Sequence, residues 1–348
     1  MKIQRNLVKV AEDLTEVIGN TPMIKLGKLT KNSNAPELEL LGKADFMNPS
    51  GSLKDRILLK ILKVAIERGE LKKGMTILES TTGNTGISTS MMGAFLGFPV
   101  VLVMPEGMSA ERKKAMKAYG AKIIHVPGAE SDVDLAVNKA RQLVRNYPKK
   151  YFMVDQFNNP LNVQAHYETT GPEIWQQVGG KLDAFAATAG TGGTITGVGK
   201  YLKEKDPNIK IYVIEPSECP VLSKQRWGTH QIEGIGDGFI PSILDISILD
   251  GVILVDSKSS IEMTKRLARE EGLFVGISTG ANVKACLKLH KRHPELKRIA
   301  TMLNDHGYRY FSTAVFGETK KVEIPERMHP IDITPEQQKM LSRLEVIE

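Results

Sequence analysis

The stretch "NPSGSLKDRILLKIL", residues 48–62, runs from a loop into an amphipathic helix, with Ser52 placed to cap it and Ile57, Leu58, Ile61 and Leu62 on one apolar face. Lys54 stands in the first turn, where the helix dipole disfavours a cation. Taken alone such a lysine reads as an exposed side chain stretching into water; the chemical reading is that a cationic helix start lowers its amine pKa, so that the free base can form a Schiff base with a carbonyl compound. Three further segments crowd glycine, threonine, serine or asparagine where a strand gives way to a helix: "TTGNTG" (81–86), "GTGGTITG" (190–197) and "GISTGA" (276–281). Free backbone N–H groups at such points receive anions. The first suits a carboxylate, or equally reads as turn and capping residues alone. The second suits a phosphate monoester, since its glycines allow close approach and Thr191 and Thr194 add hydroxyls. In the third, Ser278 taken by itself reads as an N-cap. A helix dipole contributes only about 0.3–2 kcal/mol to holding an anion, whereas several charge-assisted hydrogen bonds of about 1.5–3 kcal/mol each hold one firmly. Two anion cradles and a helix-start lysine describe one composite ligand, a phosphorylated aldehyde joined to an amino acid.

A dinucleotide reading stands beside this one. Gly190, Gly192 and Gly197 form a loosely spaced glycine fingerprint, and Glu215 ends the next strand where a ribose-binding acid is expected. The third glycine falls five residues after the second rather than three, which weakens a nicotinamide-dependent oxidoreductase without removing it.

The elements that must position these residues belong to a globular chain of 348 residues with 41% apolar content. No run of about 18 apolar residues occurs, and "MKIQRNLVKVAEDL" lacks a signal-peptide core, so a cytoplasmic protein is expected. The charge of +7 is spread along the chain. "ERKKAMKAYGAK" and "HKRHPELKR" read as solvated helix faces rather than nucleic-acid sites. Cys219 and Cys286 lie far apart and read as buried apolar groups, and His290 and His293 lack the further ligands of a metal site, so no metal is expected. Continuous apolar runs at 38–46, 75–80, 99–105, 121–127, 151–157, 182–190, 209–216, 251–256 and 298–303 read as buried parallel strands separated by helices. That pattern is a doubly wound α/β fold, with too many strands for one sheet and therefore two α/β domains with the ligand between them. "DQFNNPLN" (155–162) is the expected crossing between domains, and "DITPEQQKMLSRLEVIE" a helix capped by Thr334 with Pro335 at its first position.

In order along residues 12–320, "IGNTPMIKL", "NPSGSLKDR", "TTGNTG", "DQFNNP", "ETTGPEIW", "GTGGTITG", "IEPSECPVLS", "IEGIGDGF" and "GISTGA" make the chain resemble the cysteine synthase and cystathionine β-synthase family of pyridoxal-phosphate enzymes. The resemblance implies the tryptophan-synthase-β, or type II, fold: two doubly wound three-layer α/β domains with pyridoxal 5'-phosphate in the cleft between them. Residues 1–12 and 46–158 would form the smaller mobile domain, 13–45 and 159–325 the larger phosphate-binding one, and 326–348 a helical tail. It further implies that Lys54 is the catalytic, cofactor-bearing lysine and that Asn84 meets the phenolic oxygen. Gly190, Thr191, Gly192, Gly193 and Thr194 would cradle the phosphate, and Ser278 would face the pyridine nitrogen. Thr81, Thr82, Asn84, Thr85 and Gln156 match the substrate-carboxylate site, and Gly234 a loop lining the cleft.

The implied reaction is β-replacement. Lys54 takes the α-proton of O-acetylserine or a related β-substituted alanine, acetate leaves to give an aminoacrylate, and sulfide adds to yield L-cysteine. Arg226 reads as a surface arginine, with O-phosphoserine the minority donor it would greet. The chain shows neither a haem-binding extension nor a regulatory module, which favours a stand-alone cysteine synthase over a cystathionine β-synthase. Glu233 in "IEGIGDG" is shared with the latter and reads as a solvated loop residue, and "NDHGYRYFST" departs from the common "DSGERYLST". The family implies a homodimer and an association with serine acetyltransferase. A non-catalytic, cofactor-holding relative remains an alternative.

Overall fold

The computed structural model describes residues 10–128, 133–317 and 331–348. The chain lays down β1 (Met23–Lys25), α1 (Gly27–Asn32) and β2 (Glu39–Lys43), then leaves that sheet through α2 (Lys54–Glu67). A strict alternation follows: β3 (Thr76–Ser80), α3 (Asn84–Leu96), β4 (Val100–Pro105), α4 (Ala110–Ala118), β5 (Lys122–Val126), α5 (Val133–Asn146) and β6 (Tyr151–Met153). These strands pair in parallel in the order β5-β4-β3-β6. Right after them the chain returns through α6 (Pro160–Ala165) and α7 (Gly171–Gln177) to β7 (Ala184–Thr188), α8 (Gly193–Lys205), β8 (Lys210–Pro216) and α9 (Val221–Lys224). The succession ends with β9 (Gly251–Val255), α10 (Ser257–Arg266), α11 (Ile277–Arg292), β10 (Arg298–Met302), α12 (Pro335–Leu341) and β11 (Glu345–Ile347). The larger sheet has the order β1-β2-β10-β7-β8-β9-β11, parallel except where β1 meets β2.

Both faces of the larger sheet are covered, and the residues show why. Ala184, Ala186, Tyr212, Ile214 and Ile253 point into one buried cluster, while Phe185, Ala187, Ile211, Val213 and Val252 point into another. A strand buried on both faces gains nothing from polar alternation, which is why these runs read as continuously apolar. All nine apolar runs are strands. Two further strands, β1 and β11, are three-residue edge segments with little buried surface to mark them. β11 also corrects the expectation of a wholly helical tail: Thr334 forms a capping box over α12 with Pro335 in its first turn, but the last residues pair with β9. Residues 1–9, 129–132, 318–325 and 326–330 of the expected domains lie outside the described residues. Among the described residues, no helix is long and apolar enough to cross a membrane.

The family-like segments "IGNTP", "SLKDR" and "ETTGPEIW" meet in one buried ionic cluster. Arg56 on α2 grips Asp45 in a two-point bond, Nε to Oδ2 at 2.8 Å and Nη2 to Oδ1 at 2.9 Å, and reaches Glu173 on α7 with Nη1 at 2.6 Å. Lys43 of β2 meets the same Glu173 at 2.6 Å. Burial alone would raise Asp45, but the Arg56 guanidinium holds its carboxyl below the usual range. This cluster fastens the start of α2, and with it Lys54, to the larger sheet.

Candidate active site

Lys54 is the first residue of α2. Leu53, not Ser52, occupies the N-cap position and makes no side-chain cap; Ser52 Oγ accepts the Lys54 N–H at 3.4 Å. The apolar face is as the spacing requires, with Ile57, Leu58, Ile61 and Leu62 all buried. The Lys54 ammonium is pulled below the usual lysine range by desolvation, against the opposing pull of Asp305, Asp237 and Asp45. This corrects the expected cause: the charged neighbours are carboxylates, and burial rather than a cationic helix start frees the amine.

On one side of Lys54 lies the loop between β3 and α3. Thr81 Oγ1 accepts from Gly83 N at 2.9 Å and Gly86 N at 3.1 Å, so this hydroxyl oxygen shapes the loop. Thr85 Oγ1 donates to Gln156 Oε1 at 2.6 Å, and Gln156 Nε2 donates to Ser80 O at 3.0 Å. Thr81, Thr82, Asn84, Thr85 and Gln156 line one enclosed space with Lys54, Gly190, Thr191 and Gly234. Asn84 donates to Asp305 Oδ2 at 2.7 Å, and its own Oδ1 is buried without a hydrogen-bond partner.

On the other side lies an adjoining space lined by Lys54, Asn84, Gly190, Thr191, Gly192, Thr194, Gly234 and Ser278. It opens onto the N-terminus of α8, a helix of 13 residues. Gly192 holds φ 79°, the left-handed region, at the N-cap. A Cβ on Gly193 would stand against Asn162 Oδ1, so any larger residue there must displace the Asn162 side chain. Asn162 Nδ2 donates to Thr191 Oγ1 at 3.0 Å, and Thr194 Oγ1 lies 3.1 Å from His166 Nε2. Desolvation, then the Arg56 charge, pushes His166 down to about 3, so its ring is neutral. Ser278, in the first turn of α11, has its Oγ 2.9 Å from Asn304 Nδ2. The desolvated Lys54 amine, the glycine-rich start of α8 and the Ser278 hydroxyl fit a phosphorylated pyridine aldehyde, and the buried Asn84 Oδ1 without a hydrogen-bond partner is a polar atom left over for a ligand.

Every residue anticipated from the sequence therefore gathers around Lys54, except that Gly193 sits behind the cradle against Asn162. The dinucleotide reading fails on packing. Gly197 lies inside α8, where a Cβ would meet Val163 O at 2.4 Å, and Glu215 spends its carboxylate on Leu222 N and Ser223 N at 2.8 and 2.9 Å. Arg226 is exposed and bonds Ser217 O at 3.3 Å, outside the residues lining the cleft.

Two residues read as solvated are not. Arg112, from "ERKKAMKAYGAK", is 1% exposed, lines the Lys54 space and lies 4.7 Å from the Tyr310 ring centroid. It forms an ion pair with Glu233, so the two meet across the cleft. One helix can be basic outside and still send a single cation inward; nothing in the charge pattern separates Arg112 from Lys113. Asp237 and Asn304 also border the cleft without a role read for them in the sequence, and so does Asp305, one of the two residues through which the departing segment could alter the cofactor surroundings. Asp305 stood in the departing segment "NDHGYRYFST", the one signal that pointed there.

The family model for pyridoxal-phosphate dependent enzymes matches residues 14–305. A cysteine synthase of Staphylococcus aureus is 43% identical over 309 residues, covering 88% of this chain and 98% of the relative. Among solved structures, O-ureido-L-serine synthase superposes with a TM-score of 0.84 at 36% identity, covering 90% of this chain and 98% of the other. Cysteine synthase from Entamoeba histolytica gives a TM-score of 0.83 at 33% identity, covering 98% and 97%.

Proposed function

The chain belongs to the family of pyridoxal-phosphate dependent enzymes, and from that premise we propose that it is a cysteine synthase, replacing the β-acetoxy group of O-acetylserine with sulfide. The observation that carries this is Lys54: a desolvated amine at a helix start, with a carboxylate-type cradle on one side and a phosphate-type cradle on the other.

Pyridoxal 5'-phosphate supplies an electron-withdrawing ring that, when linked to the substrate amine, makes the α-proton removable and the β-substituent able to leave. Gly190, Thr191, Gly192 and Thr194 would hold its phosphate, with Gly193 backing the turn through its N–H to Thr191 Oγ1, while Asn84 would meet its phenolic oxygen and Ser278 its ring nitrogen. The protein's own residues do the rest. The loop of Thr81, Thr82, Asn84 and Thr85 binds the substrate carboxylate through its backbone N–H groups, Thr81 Oγ1 shaping the loop, and Gln156, held by Thr85 Oγ1 and Ser80 O, completes that site. Lys54 Nζ takes the α-proton and returns it after sulfide has added; its depressed pKa makes the neutral amine available for this. Gly234 borders the substrate space, and the Arg112–Glu233 pair bridges the cleft beside it, helping to exclude water.

Closure of the smaller domain, residues 1–12 and 46–158, on the bound carboxylate is part of the same reading. So are a cytoplasmic homodimer and an association with serine acetyltransferase, all supported by family resemblance. The test is product formation by the purified, cofactor-loaded protein with sulfide and, in turn, O-acetylserine, O-phosphoserine and serine. Cysteine formed fastest from O-acetylserine supports the reading; a preference for either other donor, or for homocysteine over sulfide, overturns it.

A further inference from the structure

We propose that Asn304 is a positioning residue that turns the Ser278 hydroxyl proton towards the cofactor's ring nitrogen, so that this nitrogen is held as an unprotonated acceptor. The proposal rests on the placement of Ser278 against the ring that forms part of the function proposed above.

The direction of each hydrogen bond follows from one backbone group. Thr188 N–H can only donate, and it lies 2.8 Å from Asn282, which fixes that atom as Oδ1. Asn282 Nδ2 is then the other terminal atom, and it donates to Met302 O at 2.8 Å, an acceptor that confirms the orientation. The same Nδ2 faces Asn304 at 3.4 Å, so the facing Asn304 atom is Oδ1. Asn304 Nδ2 therefore points the opposite way, donating to Ser278 Oγ at 2.9 Å and towards Thr188 Oγ1 at 3.3 Å. Asn304 N is separately anchored on Thr279 Oγ1 at 2.9 Å, and its carbonyl accepts from Leu53 N at 3.0 Å, next to Lys54. Asn282, Ser278 and Asn304 are all buried, so water does not scramble this order.

A serine hydroxyl has one proton to give and two lone pairs. With a lone pair of Ser278 taken by Asn304, the proton is directed to a different atom, and Ser278 opens onto the space it shares with Lys54 and Asn84. A pyridine nitrogen facing that proton must be an acceptor. Such a neutral ring withdraws electrons less strongly than a pyridinium, which favours expulsion of the β-substituent over racemisation or transamination at the α-carbon.

The experiment is nuclear magnetic resonance of the protein loaded with cofactor carrying 15N in the ring. The wild-type resonance is expected at the position of an unprotonated pyridine. Asn304→Asp offers Ser278 only an acceptor, so the hydroxyl turns round and the resonance moves towards the protonated position. Asn282→Asp leaves Asn304 in place but removes the donor that orients its amide, and a smaller move in the same direction is expected; this keeps the test open should Asn304→Asp not fold. In a Ser278→Ala background Asn304→Asp is expected to have no effect. A protonated wild-type ring, a resonance unmoved in both Asp variants, or a shift that persists without Ser278 overturns the proposal. Turnover is not the readout: a wrong donor assignment would show in the assay of products and leave the ring resonance as expected.

Discussion

Asn84 Nδ2 lies 2.7 Å from Asp305 Oδ2, a hydrogen bond that joins the first residue of α3 to the segment after β10 beside Lys54. Two sheets thus meet through their loops around one amine. Tyr310 donates to the same Asp305 oxygen at 2.8 Å, so this carboxylate is held firmly.

Asp305 is the largest influence opposing the desolvation that lowers the Lys54 ammonium. Asp305→Asn removes a charge that favours the protonated amine, so the Lys54 pKa falls further. In the cofactor-free protein, the midpoint of the pH dependence of cofactor capture is expected to move to lower pH. A midpoint that stays or rises counts against the electrostatics described here.

His166 is neutral and buried, with its folded pKa pushed down to about 3 from 6.5. Below the unfolded value the unfolded chain binds a proton that the folded chain refuses, so stability falls by about 1.4 kcal/mol per pH unit as pH drops through that window. His166→Gln lacks this loss. Urea unfolding is expected to show the stability gap between wild type and variant narrowing as the solution is acidified, and a constant gap speaks against it.

Glu79 has the opposite sign. Desolvation, then the Asp155 charge, raises it to about 8 from 4.5, so its contribution is present below the unfolded pKa and lost as pH rises through the folded one. Glu79→Gln is expected to gain stability relative to wild type between those values, by an amount on the order of several kcal/mol. Parallel stability curves would show that Glu79 ionises normally.

Gly193→Ala places a methyl group against the Asn162 side chain that braces Thr191. Forcing that contact costs about 1–3 kcal/mol and disturbs the phosphate cradle, so cofactor affinity should drop by about tenfold or more. Equilibrium titration of the cofactor-free variant measures this. Unchanged affinity would mean that the helix-start cradle does not hold the phosphate.

Arg56→Met strands Asp45 and Glu173 in the interior, and removal of one partner of a buried pair typically costs about 3–5 kcal/mol. The loss should appear in unfolding and also in weaker cofactor retention, because the same cluster anchors α2. A stability change below about 1 kcal/mol would place the cluster among surface-like pairs.

The strands were legible because double-sided burial leaves an unbroken apolar run, as in "AFAAT" of β7. Lys54 was legible because it sits at a helix start that ordinary stability would give to an acid. Arg112 was not, since its neighbours on α4 are basic too and only the tertiary fold decides which one turns inward. Glu233 was hidden for the same reason, being defined by a partner more than a hundred residues away in the chain. Asn304 carries no periodic or capping signal; its meaning lies in a chain of buried amides that exists only once β7, β10 and α11 are packed together.

The central claim is that the cofactor is attached to Lys54 and to no other lysine. Reducing the loaded protein with borohydride and mapping its peptides by mass spectrometry tests it most directly. The account expects the pyridoxyl-phosphate mass on the peptide bearing Lys54, and none in Lys54→Ala. A modified lysine elsewhere, or unmodified Lys54 in a fully loaded and active protein, would contradict it.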